Sequence, residues 1–385
     1  MPTLPGFSDN DLAIASPDGT ELYGFSPTGR HLRTVNALTG AVRYAFGYDA
    51  EGRLSSVEDG DGNVTRIERD GGGNPTAIVA TFGQRTTLGV DANGYLASIA
   101  NPAGETTRFT YGPDGLLLTM TNPRNYEYSF TYDTLGRLTR DEDPAGGLST
   151  LWRTVGGDSS TTTLTTALDR VSTYLVETPA DGSTHRADTA PDGTRTDLLI
   201  GADASRTTTG PDGTVTTLLQ GPDPRFGMQA AIPSSLTVRT PAGLTSTVTT
   251  NRSTLTDPNN SLSLATQTDT VILNGRTYTS TYDGTLRQFT NRSPANRQVT
   301  STLDPQGRVL STQVTGLEPI TFAYDPRGRL STMTQGTGGT ARTSTFTYNP
   351  QGFLASLTDP LSRTVSFGYD AAGRVMGDVM GDVFD

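Results

Sequence analysis

The chain has 385 residues, with 44 glycines, 23 prolines, no cysteine, and 29 basic against 40 acidic residues, a formal charge of -11. Without cysteine there is no disulfide framework and no thiolate metal site, so burial and backbone pairing must hold the fold. All the basic residues apart from two histidines are arginines, and an acidic chain with scattered guanidinium groups repels phosphate backbones and anionic lipid, which argues against nucleic-acid binding and membrane insertion.

Hydrophobic residues make up only 33%, whereas 67 residues are threonine. Threonine is stiff at χ1 and packs well on a pleated surface, so the composition predicts strands and almost no long helix. The opening Met1-Pro2-Thr3-Leu4-Pro5 lacks the basic and apolar parts of a signal peptide. No apolar run approaches the roughly 20 residues a membrane-spanning helix needs.

In chain order, Ser16-Pro17-Asp18-Gly19 and Ser26-Pro27-Thr28-Gly29 are the first turn signals. Tyr48-Asp49-Ala50-Glu51-Gly52-Arg53-Leu54 then recurs from Arg69, Val90, Tyr111 and Tyr132, in steps of 21 residues. Asp at i and Gly at i+3 mark a type I turn. Midway marks of the same chemistry follow at Asn101-Pro102-Ala103-Gly104, Asn122-Pro123-Arg124-Asn125 and Asp143-Pro144-Ala145-Gly146, so turns fall every 10 or 11 residues. Each step is one strand and one turn, and the unit is an antiparallel hairpin. Phe46 and Tyr48, Phe109 and Tyr111, and Phe130 and Tyr132 stand two apart, which places each pair on one face of its strand. Those faces predict an aromatic ladder along one side of the sheet. Leu54 and Val57 are three apart, which requires either a bulge or burial on both faces.

Residues 146–275 are degenerate and Thr-rich, but they keep their punctuation: Pro191-Asp192-Gly193, Pro211-Asp212-Gly213 and the two-residue hairpin signal Asn274-Gly275. The frame returns from Tyr282, Leu303, Tyr324, Tyr348 and Tyr369, with a midway mark at Asp359-Pro360-Leu361-Ser362. The tail 376–385 is atypical, with Met376-Gly377-Asp378-Val379 duplicated as Met380-Gly381-Asp382-Val383. A single all-β array over 1–385 is predicted, clear at 25–145 and 276–375: a long antiparallel meander of ~21-residue hairpins.

Tandem YDxxGRL with Asp/Asn-Pro-x-Gly turns resembles the YD-repeat (Rhs) family, which includes bacterial polymorphic toxins, toxin-complex cocoon subunits and the animal teneurins. The resemblance implies a sheet wound as a β-spiral into an open or hollow shell, and an extracellular or cell-surface location. It also implies a structural, non-enzymatic scaffold that can enclose a C-terminal effector in cis. Twist accumulates from strand to strand, and open sheets seldom exceed about ten strands without curling, so a winding is physically reasonable. The self-cleaving core segment found in shell-forming toxins is not seen after Tyr369–Val375, so the chain reads as a piece of array. The alternative is an extracellular adhesion or filament module that self-associates through terminal strands or binds glycans.

Candidate chemistry is sparse. His31 and His185, beside Arg30 and Arg186, are far apart in sequence and read as solvent-facing side chains near turns. Asp49, Asp133, Asp283, Asp325 and Asp370 occupy turn position i, where a carboxylate shapes the turn. Asp59, Asp61, Asn63 and Asp70 match positions 1, 3, 5 and 12 of a calcium loop, but Val64 stands where that loop has glycine, so a structural turn is the preferred reading. No cofactor is implied. The arginines of the Gly-Arg steps, Arg30, Arg53, Arg137, Arg308, Arg329 and Arg374, either line a cargo or glycan surface or are paired and exposed; the second reading is preferred. Thr-x-Thr runs offer a surface for ice or sugars, though β-propensity explains them as well.

Overall fold

The computed structural model describes residues 12–257 and 260–380. The opening Met1–Pro5 and the tail beyond Met380 lie outside the described residues.

Most repeat turns are closed by their own first residue. The Gly52 amide donates to the Asp49 carbonyl at 2.9 Å, and the Asp49 amide to the Arg53 carbonyl at 2.9 Å. Gly52 sits at φ +81°, where an L side chain would be strained, and this is why a glycine ends the turn. The same pair of bonds recurs at Asp133, Asp304, Asp325 and Asp370, and at midway turns such as Asn101 and Asp359. Metered turns of this kind fold the described residues into 33 strands, from Leu12–Ala15 to Val375–Met380, in one sheet. Every strand pairs antiparallel with the next, as the registers at the start, middle and end show. Among the described residues the only helical element is a short 3-10 turn, Gly338–Thr340.

A bulge follows most YD turns, the exception being Tyr282-Asp283, where Tyr282 pairs with Phe289 and Asp283 with Gln288 in unbroken register. Tyr48 pairs with Leu54 and Gly47 with Ser56, leaving Ser55 as the extra residue. Leu54 therefore lies opposite Tyr48 and Val57 opposite Phe46, on one face, which resolves their odd spacing. The bulge repeats where Tyr111, Tyr132, Tyr324 and Tyr348 pair with Leu117, Leu138, Leu330 and Leu354. The other face carries cross-strand hydroxyl pairs, such as Thr110 with Thr119 at 2.7 Å and Thr347 with Ser356 at 2.7 Å.

The sheet runs unbroken through 146–275, where strands lengthen: Gly227–Arg239 and Thr245–Asp257 have 13 residues each and Asn260–Leu273 has 14. Asn274 and Gly275, at φ +47° and +80°, make the two-residue hairpin that their sequence signals.

The surface area reports a thin wall. A compact 40.7 kDa monomer would expose about 15,000 Å²; this chain exposes 22818 Å². Its main buried apolar cluster, Ala15, Leu22, Val35, Ala37 and Ala230 with Phe226 against it, forms where the start of the ribbon meets a much later part.

Candidate functional site: the seam where the ribbon meets itself

Alternate turns lie on opposite edges of the ribbon. One edge carries the YD turns and the other the midway turns. The midway edge near the start meets the YD edge near the end, through residues between 247 and 269 positions apart. The sheet has curled back on itself, and among the described residues its two edges abut without strand pairing.

The contacts are specific. Asp61, third residue of a midway turn, accepts from Arg308 Nη1 at 2.6 Å, while Arg308 Nε donates to Asp304 of its own turn at 2.6 Å. The Asp61 carboxylate also rests on Gly328, at φ +78°, where a Cβ would collide with it. The Asn63 amide donates to the Arg327 carbonyl at 3.1 Å. One repeat further on, the Phe82 ring takes the place of Asp61: it packs on Gly352 and lies 5.1 Å from the Arg329 guanidinium. The Gln84 amide donates to the Gln351 carbonyl, and Arg374 pairs with Glu105 at 2.9 Å. At the other end of the seam, Arg225 donates to the Ala37 carbonyl at 2.6 Å and Gly19 lies against Ala230. Burial pushes the Arg225 guanidinium down to about 10. Arg252 bridges Asp223, whose side chain is 1% exposed, and Asp269, at 2.8 and 2.6 Å.

Along the YD edge, most clear repeats are tied to their predecessors. The Tyr111, Tyr132, Tyr324 and Tyr369 hydroxyls donate at 2.8–2.9 Å to carbonyls 15 residues back, at Leu96, Leu117, Val309 and Leu354. Arg69, at the tyrosine position of its repeat, reaches Leu54 O in the same way at 3.1 Å. At several YD turns the residue after the turn glycine lies over the next tyrosine: Arg308 over Tyr324 at 4.7 Å, Arg329 over Tyr348 at 4.2 Å, Tyr95 on Tyr111 at 5.1 Å and Phe353 on Tyr369 at 4.8 Å. The aromatic ladder is thus built from alternating tyrosines and turn-exit side chains.

The turn aspartates act as caps. Asp49 accepts the Arg53 amide and Nε, both at 2.8 Å, and its carboxyl is held below the ordinary range chiefly by that amide. Asp133 and Asp370 are lowered for the same reason, by the amides of Arg137 and Arg374. The Gly-Arg arginines other than Arg30 thereby become i,i+4 partners of their own turns, and Arg30 stands over Tyr48 at 5.4 Å.

The calcium-loop residues do not converge. Asp59 accepts the Asp61 and Asn63 amides, and Asp61 faces Arg308. Asp70 caps the next turn, at the far end of strand Val64–Arg69, by accepting the Gly72 and Asn74 amides. Among the described residues, no three His, Asp or Glu side chains are grouped to hold a metal.

The histidines are half-buried, with partners that their sequence neighbours did not signal. His31 packs 4.3 Å from Phe46 and 4.9 Å from Phe25, because strand pairing brings those rings to it. His185 Nδ1 lies 2.8 Å from Glu177 Oε2, and its Nε2 lies 2.8 Å from Asp197 Oδ1. Hydrogen bonding to Glu177 and then Asp197 raises its pKa. The seam residues and the Asp223–Arg252–Asp269 network escaped sequence reasoning; the signal available for the seam was the shared turn position of Asp61 and Phe82.

Comparison with known proteins follows this architecture. The Teneurin YD-shell family matches residues 9–381. Over 75 residues the chain is 44% identical to Teneurin-1 of Mus musculus and 43% identical to Teneurin-1 of Homo sapiens. In each case the match covers 20% of this chain and 3% of the relative. Among solved structures, the Photorhabdus luminescens Tc holotoxin pore aligns at 15% identity and a TM-score of 0.47, over 92% of this chain and 20% of that one. With hairpin repeats, turn chemistry and a family match along nearly its whole length, the chain belongs to the Teneurin YD-shell family.

Proposed function

We propose that this chain is a stretch of wall in a hollow shell on a secreted or cell-surface protein, and that its role is mechanical: it encloses a separate polypeptide segment, in the manner of the toxin-encapsulating branch. The observation that carries this reading is the seam. Ion pairs such as Asp61–Arg308 and Glu105–Arg374 join the edges of successive coils, and an edge-sealed thin sheet encloses space where a packed globule does not. The turn carboxylates support the same reading, since they are spent on caps and pairs rather than left free for acid–base chemistry.

Cryo-electron microscopy of the chain within its parent protein tests this. A curved wall around a lumen that holds density is the expected result, and a solid rod or an empty flattened sheet overturns it. The second reading, an adhesion or filament module, draws on exposed apolar side chains at turns and strands, among them Leu135, Trp152 and Leu168, each at least 70% exposed. Concentration-dependent assembly in native mass measurement, without enclosed density, favours that reading.

A further inference from the structure

The strands Arg276–Asp283 and Gln288–Arg292 are paired from Asp283↔Gln288 as far as Thr279↔Arg292. Beyond that point Arg276, Thr277 and Tyr278 continue alone toward the Asn274-Gly275 tip, held on their other side by Val271–Leu273. The neighbouring chain turns away at Ser293–Arg297, leaving a recess of about 770 Å³ between the hairpin tip and that turn. Its size is that of small-ligand sites in general.

The lining is unusual for this chain. In a protein of net charge -11, Arg276, Arg292 and Arg297 all line one recess. The single acidic residue in the lining, Asp269, is already held by Arg252 through two bonds at 2.6 and 3.1 Å. Arg292 donates to the neutral Gln298 at 2.8 Å. Neither Arg276 nor Arg297 has an acidic partner within salt-bridge distance among the described residues. Tyr278, 39% exposed, lines the same space. Planar guanidinium groups match carboxylate or sulfate oxygens. An aromatic ring beside them offers a flat apolar surface of the kind that receives the C–H face of a pyranose, and Ser280, Asn291 and Ser293 add hydroxyl and amide groups suited to sugar hydroxyls.

We propose that this recess binds an acidic saccharide, with Arg276 and Arg297 taking its carboxylate or sulfate and Tyr278 its ring. The proposal is independent of whether the wall encloses a cargo.

Isothermal titration of the full chain tests it, using a galacturonic acid trimer and a sulfated galactose disaccharide as the two acidic probes. A neutral galactose trimer, inorganic sulfate and hexaglutamate serve as comparisons. Saturable binding of at least one acidic sugar is expected, and which of the two binds tells carboxylate from sulfate. The double variant Arg276→Ala/Arg297→Ala should weaken it at least tenfold with an unchanged melting temperature. Tyr278→Ala should weaken sugar binding while leaving inorganic sulfate binding unchanged. The proposal fails if neither acidic sugar binds, if the neutral trimer, hexaglutamate or inorganic sulfate binds as tightly, or if the folded double variant binds like the parent.

Discussion

Arg308 holds two carboxylates at once. One is Asp304, four residues back in its own turn, and the other is Asp61, 247 residues away on the preceding coil, each 2.6 Å from the guanidinium. The side chain that rigidifies a turn therefore also joins the coils. Since Arg308 keeps Asp304 when Asp61 is removed, Asp61→Ala should cost about 0.5–1 kcal/mol, within the range of part-exposed pairs. Asp61→Arg should cost more, because it sets two cations against each other. The check is hydrogen exchange at turn 59–63, which should quicken in Asp61→Arg and, in the parent, with rising salt.

Gly328 and Gly29 share a left-handed backbone, at φ +78° and +82°, but only Gly328 faces the other coil. An alanine at either site costs about 1 kcal/mol for the backbone alone. At Gly328 the new Cβ would also strike the Asp61 carboxylate, whereas at Gly29 it meets nothing within 4 Å. Chemical denaturation should show Gly328→Ala clearly more destabilised than Gly29→Ala, and equal losses would mean that the seam contributes nothing at that turn.

The turns were legible because their chemistry is local: Asp49 and Gly52 meet within one loop, and the residue types needed there are few. The bulge was not, since a two-residue period says only that Leu54 and Val57 disagree, and choosing Ser55 as the extra residue requires the partner strand. The seam lies further from sequence. Whether Asp61 meets Arg308 or a neighbour depends on curvature summed over some twenty strands, and no local pattern encodes that sum. The partners of His185 were hidden for the same reason, for Glu177 and Asp197 reach it across strand pairings rather than along the chain.

The tyrosine ladder predicts a repeat-by-repeat cost. Tyr132→Phe keeps the ring and removes only the hydroxyl that donates to Leu117 O at 2.8 Å. The cost should be about 0.5–1.5 kcal/mol, with faster exchange at the start of strand Leu117–Thr121. Arg69→Leu should cost a similar amount by freeing Leu54 O, and Arg69→Tyr should restore most of it. Thermal or urea melts of the three variants check the equivalence.

Acid and base limits follow from opposite shifts. The Asp49, Asp133 and Asp370 carboxyls are lowered, so the folded chain holds their protons less tightly than the unfolded chain. Their contribution is complete above the ordinary carboxylate value near 4 and is lost as pH falls through the lower folded values. His185 is raised, because a protonated ring donates to both Glu177 and Asp197. Its contribution is complete below about 6.5 and is lost as pH rises through the higher folded value. Stability should therefore decline on both sides of a mildly acidic maximum. An NMR titration should find His185 above 6.5 in the parent, falling in Asp197→Asn, and Asp197→Asn should flatten the alkaline side of the stability profile. A His185 titration midpoint at or below 6.5 would show that the two carboxylates do not hold the ring charged.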